Sequence, residues 1–184
     1  SVFSKLSVDT NTMTSCNQTS YLFQSTENFD QALLHLLKML DTPYFMKEAI
    51  DKEKLIIGEE LKMYLDQPKI QMQNELMEML YHHHPLKYDI GGTLESILDV
   101  DQTVLNQVYH AFYHPKNRLM VITGKVDIDA LKRLLKAYDQ MDVKPYVKPK
   151  TIQIQEPKKL VDHTRIYPKN IGIDKIMLGV KLTP

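Results

Sequence analysis

The strongest constraint on this chain is the block Phe45 to Asp66, which reads as one long helix and carries Glu53 and Glu60 seven residues apart. That spacing stacks both carboxylates on one stripe, two turns apart. Ile56, Ile57 and Tyr64 fall beside them at helical angles, while Lys54, Gly58 and Lys62 fall toward the other side. An ionised carboxylate on a buried apolar face is costly unless it is paired, hydrogen-bonded or bound to a metal, so this stripe is the first place to look for chemistry. The competing reading makes both acids solvent-facing choices of good helix formers.

The elements around this block are punctuated clearly. Met13 to Cys16 and Ser20 to Ser25 read as strands of a hairpin joined through Asn17 and Gln18. Phe29, Leu33, Leu36, Leu37 and Leu40 recur at helical spacing, and Asp41-Thr42-Pro43 stops that helix. Pro68 suits a first helical turn, and Ile70, Met77 and Leu80 give Pro68 to Tyr81 an apolar side before the loop His82-His83-His84-Pro85. Leu105, Val108, Tyr109 and Phe112 mark another helix, ended by His114-Pro115. Arg118 to Thr123 then reads as a buried strand. Asp127 is placed to cap a helix carrying Leu131, Leu134, Leu135 and Tyr138. The predicted class is α+β, a sheet backed by helices. Residues 1–143 read as a truncated first α+β unit and 144–159, rich in Pro and Lys, as a linker. Residues 160–184 then open a second unit, with strands near Val161 to Tyr167 and Lys175 to Leu182.

Composition narrows the function classes. The 23 basic and 23 acidic side chains cancel, so no broad field favours nucleic acid or an anionic membrane, and neither is an expected partner. No apolar run approaches the roughly 20 residues that span a bilayer, and a single cysteine, Cys16, fits a reducing cytoplasm. Opening at Ser1 without Met and closing just after a strand-like run predicts an expressed fragment.

Other chemistry-bearing residues have simpler readings. His110 and His114 stand at the i, i+4 spacing that can bring two imidazoles to one zinc, but no acid or third ligand accompanies them. The adjacent His82, His83 and His84 point in different directions and read as a solvated loop. Gly91-Gly92-Thr93 lacks the lysine and spacing of a phosphate loop and reads as a tight turn capped by Thr93. Cys16 reads as a buried small hydrophobe, and Met63, Met72, Met77 and Met79 read as core filling. The basic stretch Lys144 to Lys159 reads as a solvated linker and not a nucleic-acid strap.

An ordered series runs through Asn11-Thr12-Met13-Thr14-Ser15, Thr19-Ser20-Tyr21, Glu53-Lys54, Glu60-Leu61-Lys62-Met63-Tyr64, Asp66-Gln67-Pro68, Gly92-Thr93-Leu94-Glu95-Ser96-Ile97, Tyr113-His114-Pro115-Lys116-Asn117 and Gly124-Lys125-Val126-Asp127. It resembles the pitrilysin, insulysin and mitochondrial processing peptidase family, with the bacterial processing-peptidase-like members nearest in look. The similarity runs from about Ser4 through Asp127, with a weaker echo in Ile176 to Lys181.

The resemblance implies a zinc peptidase with an inverted H-x-x-E-H motif that supplies two His ligands and a Glu base, and a later helix that supplies a third, carboxylate ligand. Glu60 occupies the third-ligand position, and Glu53 matches the acid that supports the metal site from two turns earlier. Helical angle sets Glu59 away from the Glu53 stripe, which agrees with that choice. Asn11, Thr12 and Met13 match the strand edge to which an extended peptide substrate adds, although Thr12 stands where the family usually has Ala. No H-x-x-E-H occurs in the chain, and only 59 residues precede Glu60, whereas the family spacing is roughly seventy to eighty. The base is therefore expected upstream of Ser1, zinc in the intact parent, and neither zinc nor activity in this chain alone. Implied partners are a peptide substrate and the missing repeat units or a homologous subunit, with self-association through uncovered surface. The alternative is a non-catalytic scaffold or peptide-binding subunit of the same fold.

Overall fold

Eleven elements cover most of what the computed structural model describes, which is residues 2–138, 145–168 and 172–182. Two compact units result. One comprises Ser1–Met46 with Gln102–Lys150, the other Lys47–Asp101 with Thr151–Pro184, so compactness does not follow chain order. The boundary expected between 143 and 144 lies outside the described residues.

In the first unit a short helix α1 (Val2–Lys5) leads into an antiparallel hairpin of β1 (Asp9–Thr14) and β2 (Thr19–Gln24). Helix α2 (Phe29–Asp41) follows. Its periodic apolar face buries Ala32, Leu33 and Leu37, and Ala32 joins Phe3 and Val8 in a small core flanked by Leu6, Phe23 and Leu36. Proline at position 43 then ends the element as anticipated, because it can neither donate nor continue the helix.

The hairpin is real but sits earlier than its apolar alternation suggested. Its register pairs Asn11 with Leu22, Thr12 with Tyr21 and Met13 with Ser20, and the turn is closed by Ser15 N–H donating to the Gln18 carbonyl at 2.8 Å. Cys16 consequently lies exposed in the turn, not buried.

The second unit is built on α3 (Lys47–Leu65) and α4 (Pro68–Leu80), with Pro68 in the first turn of α4. A single 3-10 turn, Pro85–Lys87, precedes α5 (Leu94–Leu98). Thr93 and Ser96 exchange a capping box at the start of α5, and Gly92 takes the left-handed φ of 78° that the preceding turn requires. Leu61, Leu80 and Ile97 are buried here. Of the predicted core methionines, Met63 is instead exposed, and Met72, Met77 and Met79 are half-buried.

Helices α6 (Gln102–Phe112) and α7 (Ile128–Tyr138) return to the first unit. Asp127 caps α7 through Oδ1, which accepts from Asp129 and Ala130 N–H at 2.9 and 3.0 Å.

Three predicted strands are absent among the described residues: 118–123, 161–167 and 175–182. A strand exists only through a ladder partner, and none of these segments has one there. The segment expected to be buried is instead open, with Leu119 89% exposed, and Ile176 reaches 96%. The class is α+β, dominated by helices and carrying one two-stranded sheet.

Candidate functional site

Helix α3 turns a different face inward from the one its carboxylates suggested. Leu61 is buried, Lys54, Ile57 and Gly58 are half-buried, and Glu53, Ile56 and Glu60 are exposed. The reason is α5. Leu94 packs over Gly58, its Cδ2 at an ordinary contact distance of 3.8 Å from where a Cβ would stand, and Lys54 Nζ donates to the Leu98 carbonyl at 2.9 Å. Gly91 likewise lets the turn before α5 close on Leu61, since a Cβ there would fall 2.9 Å from Leu61 Cδ2. The two acids therefore present charge outward, along a surface shared with exposed Ile56 and Met63.

Glu60 is held within its own helix. Tyr64, one turn later, donates its phenol to Glu60 Oε1 at 2.7 Å, and that bond with the nearby negative charge pushes the Tyr64 phenol above its usual pKa. The phenol thus stays a donor at neutral pH and fixes one carboxylate oxygen. Glu59 is occupied otherwise, pairing with Lys62 at 2.7 Å on an open surface. Glu53 stands two turns before Glu60, about 10 Å along the helix axis.

A catalytic zinc site needs three protein donors. Among the described residues no three His, Cys, Asp or Glu side chains gather in a way that could hold a metal. Glu60, anionic, outward and oriented by a hydrogen bond, fits one corner of such a site, and the chain's described residues do not complete it. His110 and His114 do not converge with an acid either. His114 instead caps the 3-10 turn Pro115–Asn117, its Nδ1 accepting from Lys116 N–H at 3.1 Å, and its ring packs on Tyr146.

Asn11, Thr12 and Met13 lie on exposed β1 in the first unit, whereas Glu53 and Glu60 belong to the second. Among the described residues β1 pairs only with β2. Asn11 Oδ1 accepts from Thr12 N–H at 2.8 Å, so the Asn side chain already satisfies one donor of the strand.

Polar clusters that escaped the sequence include two built around a carboxylate. Arg118 pairs with Asp41 at 2.6 Å in the first unit, and Glu156 is surrounded by donors in the second. Only Tyr64 carried a local signal, since its i+4 offset from Glu60 is readable from the helix.

The sequence model of insulinase, peptidase family M16, matches residues 1–105. The uncharacterized zinc protease YmfH of Bacillus subtilis (strain 168) is 38% identical over 182 residues, covering 97% of this chain and 42% of that protein. The uncharacterized zinc protease YmxG of the same organism is 28% identical over 143 residues, covering 77% of this chain and 35% of that one. The chain thus spans about two-fifths of the length of these curated relatives. Among solved structures, an M16-like peptidase from Alicyclobacillus acidocaldarius superposes with a TM-score of 0.82 at 28% identity, covering 87% of this chain and 39% of that one. A protease from Helicobacter pylori, at 19% identity and a TM-score of 0.78, shares the fold, covering 85% of this chain and 38% of that one.

Proposed function

Because the chain belongs to the insulinase family of peptidases, family M16, we propose that it is part of a zinc-dependent metalloendopeptidase and is inactive by itself. The observation that carries this reading is Glu60, an outward carboxylate with one oxygen oriented by Tyr64, at the position the family resemblance gives to the third zinc ligand. In this reading Glu60 supplies an anionic donor, and Glu53 tunes the site from outside the coordination shell. Asn11, Thr12 and Met13 lend a strand edge to an extended peptide. When bound, zinc in such a site makes its water a nucleophile near neutral pH and polarises the scissile carbonyl. The two His donors and the general base belong to an H-x-x-E-H segment outside the 184 residues, which contain no such motif.

The span of about two-fifths of YmfH supports a protein completed by further repeat units, fused or as a homologous subunit. The exposed side chains of Leu119 to Val121 and of Ile176, Leu178, Val180 and Leu182 support surfaces covered in the complete protein, and self-association of the chain when they are not. No helix among the described residues is long and apolar enough to cross a membrane; a cytoplasmic setting is the proposal that accompanies this.

The test is the complete protein's zinc content and its hydrolysis of unfolded peptides. One zinc per complete site with turnover supports the enzyme. Neither zinc nor cleavage, with the H-x-x-E-H residues replaced, assigns the chain to a peptide-holding scaffold of the same fold. The 184-residue chain alone, titrated calorimetrically with zinc at neutral pH, is expected to show only weak binding, because one carboxylate cannot supply three donors. A tight one-to-one complex that survives loss of His82 to His84 and depends on His110 and His114 would place the metal elsewhere.

A further inference from the structure

Glu156 has an environment that an ordinary linker residue does not have. Its Oε1 accepts from His82 N–H at 2.8 Å and from Lys181 Nζ at 2.7 Å, and its Oε2 accepts from His83 and His84 N–H, each at 2.8 Å. Three successive backbone donors and one ammonium therefore converge on a single carboxylate. The side chains of Glu156 and Lys181 are only 14% and 8% exposed. Lys181 is satisfied on its other sides, donating to the Pro157 carbonyl at 2.7 Å and lying 5.1 Å from the Tyr81 ring centroid.

We propose that the turn His82–His84 together with Lys181 is a built carboxylate-binding site whose ligand is the chain's own Glu156, so that residues 151–168 and 172–182 are held as a strap latched along α4. Further contacts run along the C-terminal half of that helix. Val161 N–H donates to the Met79 carbonyl at 2.8 Å, and Arg165 bridges Glu75, Glu78 and Asp162. Tyr167 donates to Glu75 at 2.8 Å. Gly179 lies so close to α4 that a Cβ would fall 2.9 Å from Leu76 Cδ1 and 3.0 Å from Leu80 Cδ1. The latch joins the two ends of the strap, and the α4 contacts hold its middle.

The site accepts an anion and nothing else, because every group that meets the carboxylate is a donor. The charged and titratable groups around it are Lys181, Lys87 and the three histidines, with Glu78 of α4 lining the same hollow as His82, Lys87 and Arg165. Lys181 contacts it, Lys87 Nζ donates to the His82 carbonyl at 3.0 Å, and His82 Nε2 stands 3.2 Å from the Lys159 carbonyl. His84 Nδ1 accepts from Leu86 N–H at 3.2 Å, and His83 faces solvent. Burial alone would push the Glu156 carboxyl upward, but the Lys181 ammonium and the three N–H groups hold it well below the usual carboxylate range. A depressed folded pKa means that the latch stabilises fully above the unfolded value of about 4.3 and is lost only as pH falls toward the folded one. The strap stays closed through mildly acidic conditions.

Amide exchange in the full chain tests this at named atoms. Glu156→Gln keeps the shape but turns an NH2 toward donors, so the His82, His83 and His84 amides are expected to exchange at least tenfold faster while helical content is unchanged. The charge-swapped double variant E156K/K181E separates a backbone site from a plain ion pair. A plain pair would be restored by the swap, whereas a Lys beside three N–H groups leaves the turn open. Unchanged exchange in E156Q, or protection restored by the swap, overturns the proposal. A measurement on the unaltered chain stands beside the variants should they misfold: the Glu156 carboxyl carbon, followed by NMR against pH, is expected to titrate well below a free glutamate. Titration at the ordinary value overturns the proposal equally.

Discussion

Replacing Glu60 by Gln in the complete protein is expected to remove zinc and peptide hydrolysis together, by at least about a hundredfold, because changes outside the coordination shell already cost about 10 to 100-fold. Gln keeps the volume and one carbonyl oxygen but loses the negative charge that binds and balances the metal. The bond from Tyr64 survives the change, so loss of function would report charge and not orientation. Glu53→Gln is expected to fall within that smaller range, since Glu53 stands two turns away. Glu59→Gln is the control. It removes only an open surface pair with Lys62, of a kind worth about 0 to 1 kcal/mol, and should leave zinc content and kcat/KM nearly unchanged. If Glu59→Gln is the damaging variant while Glu60→Gln keeps zinc and activity, the register assigned to α3 is wrong by one residue.

Which parts of this molecule were legible depended on how local their causes are. The ends of α2, α4 and α7 are set within a few residues by Pro43, Pro68 and Asp127, and each was readable from the chain, whereas Thr93 was read as capping a turn and not as starting α5. The inward face of α3 was not. Helical angle puts Ile56 beside Glu53 and Glu60, but which stripe packs is decided by α5, through Leu94 over Gly58 and the Leu98 carbonyl on Lys54. Segments 118–123, 161–167 and 175–182 have strand-like composition, and composition cannot supply the neighbour that makes a ladder. Glu156 shows the same limit for polar groups. Its partners in the His turn lie 72 to 74 residues away, so nothing near it in sequence marks it as anchored.

The Asp41 to Arg118 pair is long-range in the same way, and its loss should be the largest single destabilisation in the first unit. Arg118 Nη1 lies 2.6 Å from Asp41 Oδ1, with the two side chains only 21% and 16% exposed. Tyr138, from α7, donates to Asp41 Oδ2, while Arg118 Nε donates to the Tyr113 carbonyl at 2.9 Å. Tyr109 donates to the Leu40 carbonyl at 2.7 Å beside them. Burial first, and then the bond to Asp41, push the Tyr138 phenol well above its usual pKa, so it remains a donor throughout the working range. The node thus ties the end of α2 to α7 and to the chain where the exposed run from Leu119 begins. Asp41→Asn keeps the shape and strands the guanidinium with carbonyl partners alone. Breaking a fully buried pair costs about 3 to 5 kcal/mol, and the residual exposure here lowers the expected loss to about 2 to 3 kcal/mol. For a chain of this length that is a fall in Tm of about 5 to 10 °C by calorimetry. Adding Arg118→Met to Asp41→Asn should recover part of the loss, because it removes the stranded charge. A Tm within a degree of the unaltered chain for Asp41→Asn would show that the pair behaves as an open surface bridge and that the three elements are held by their apolar contacts alone.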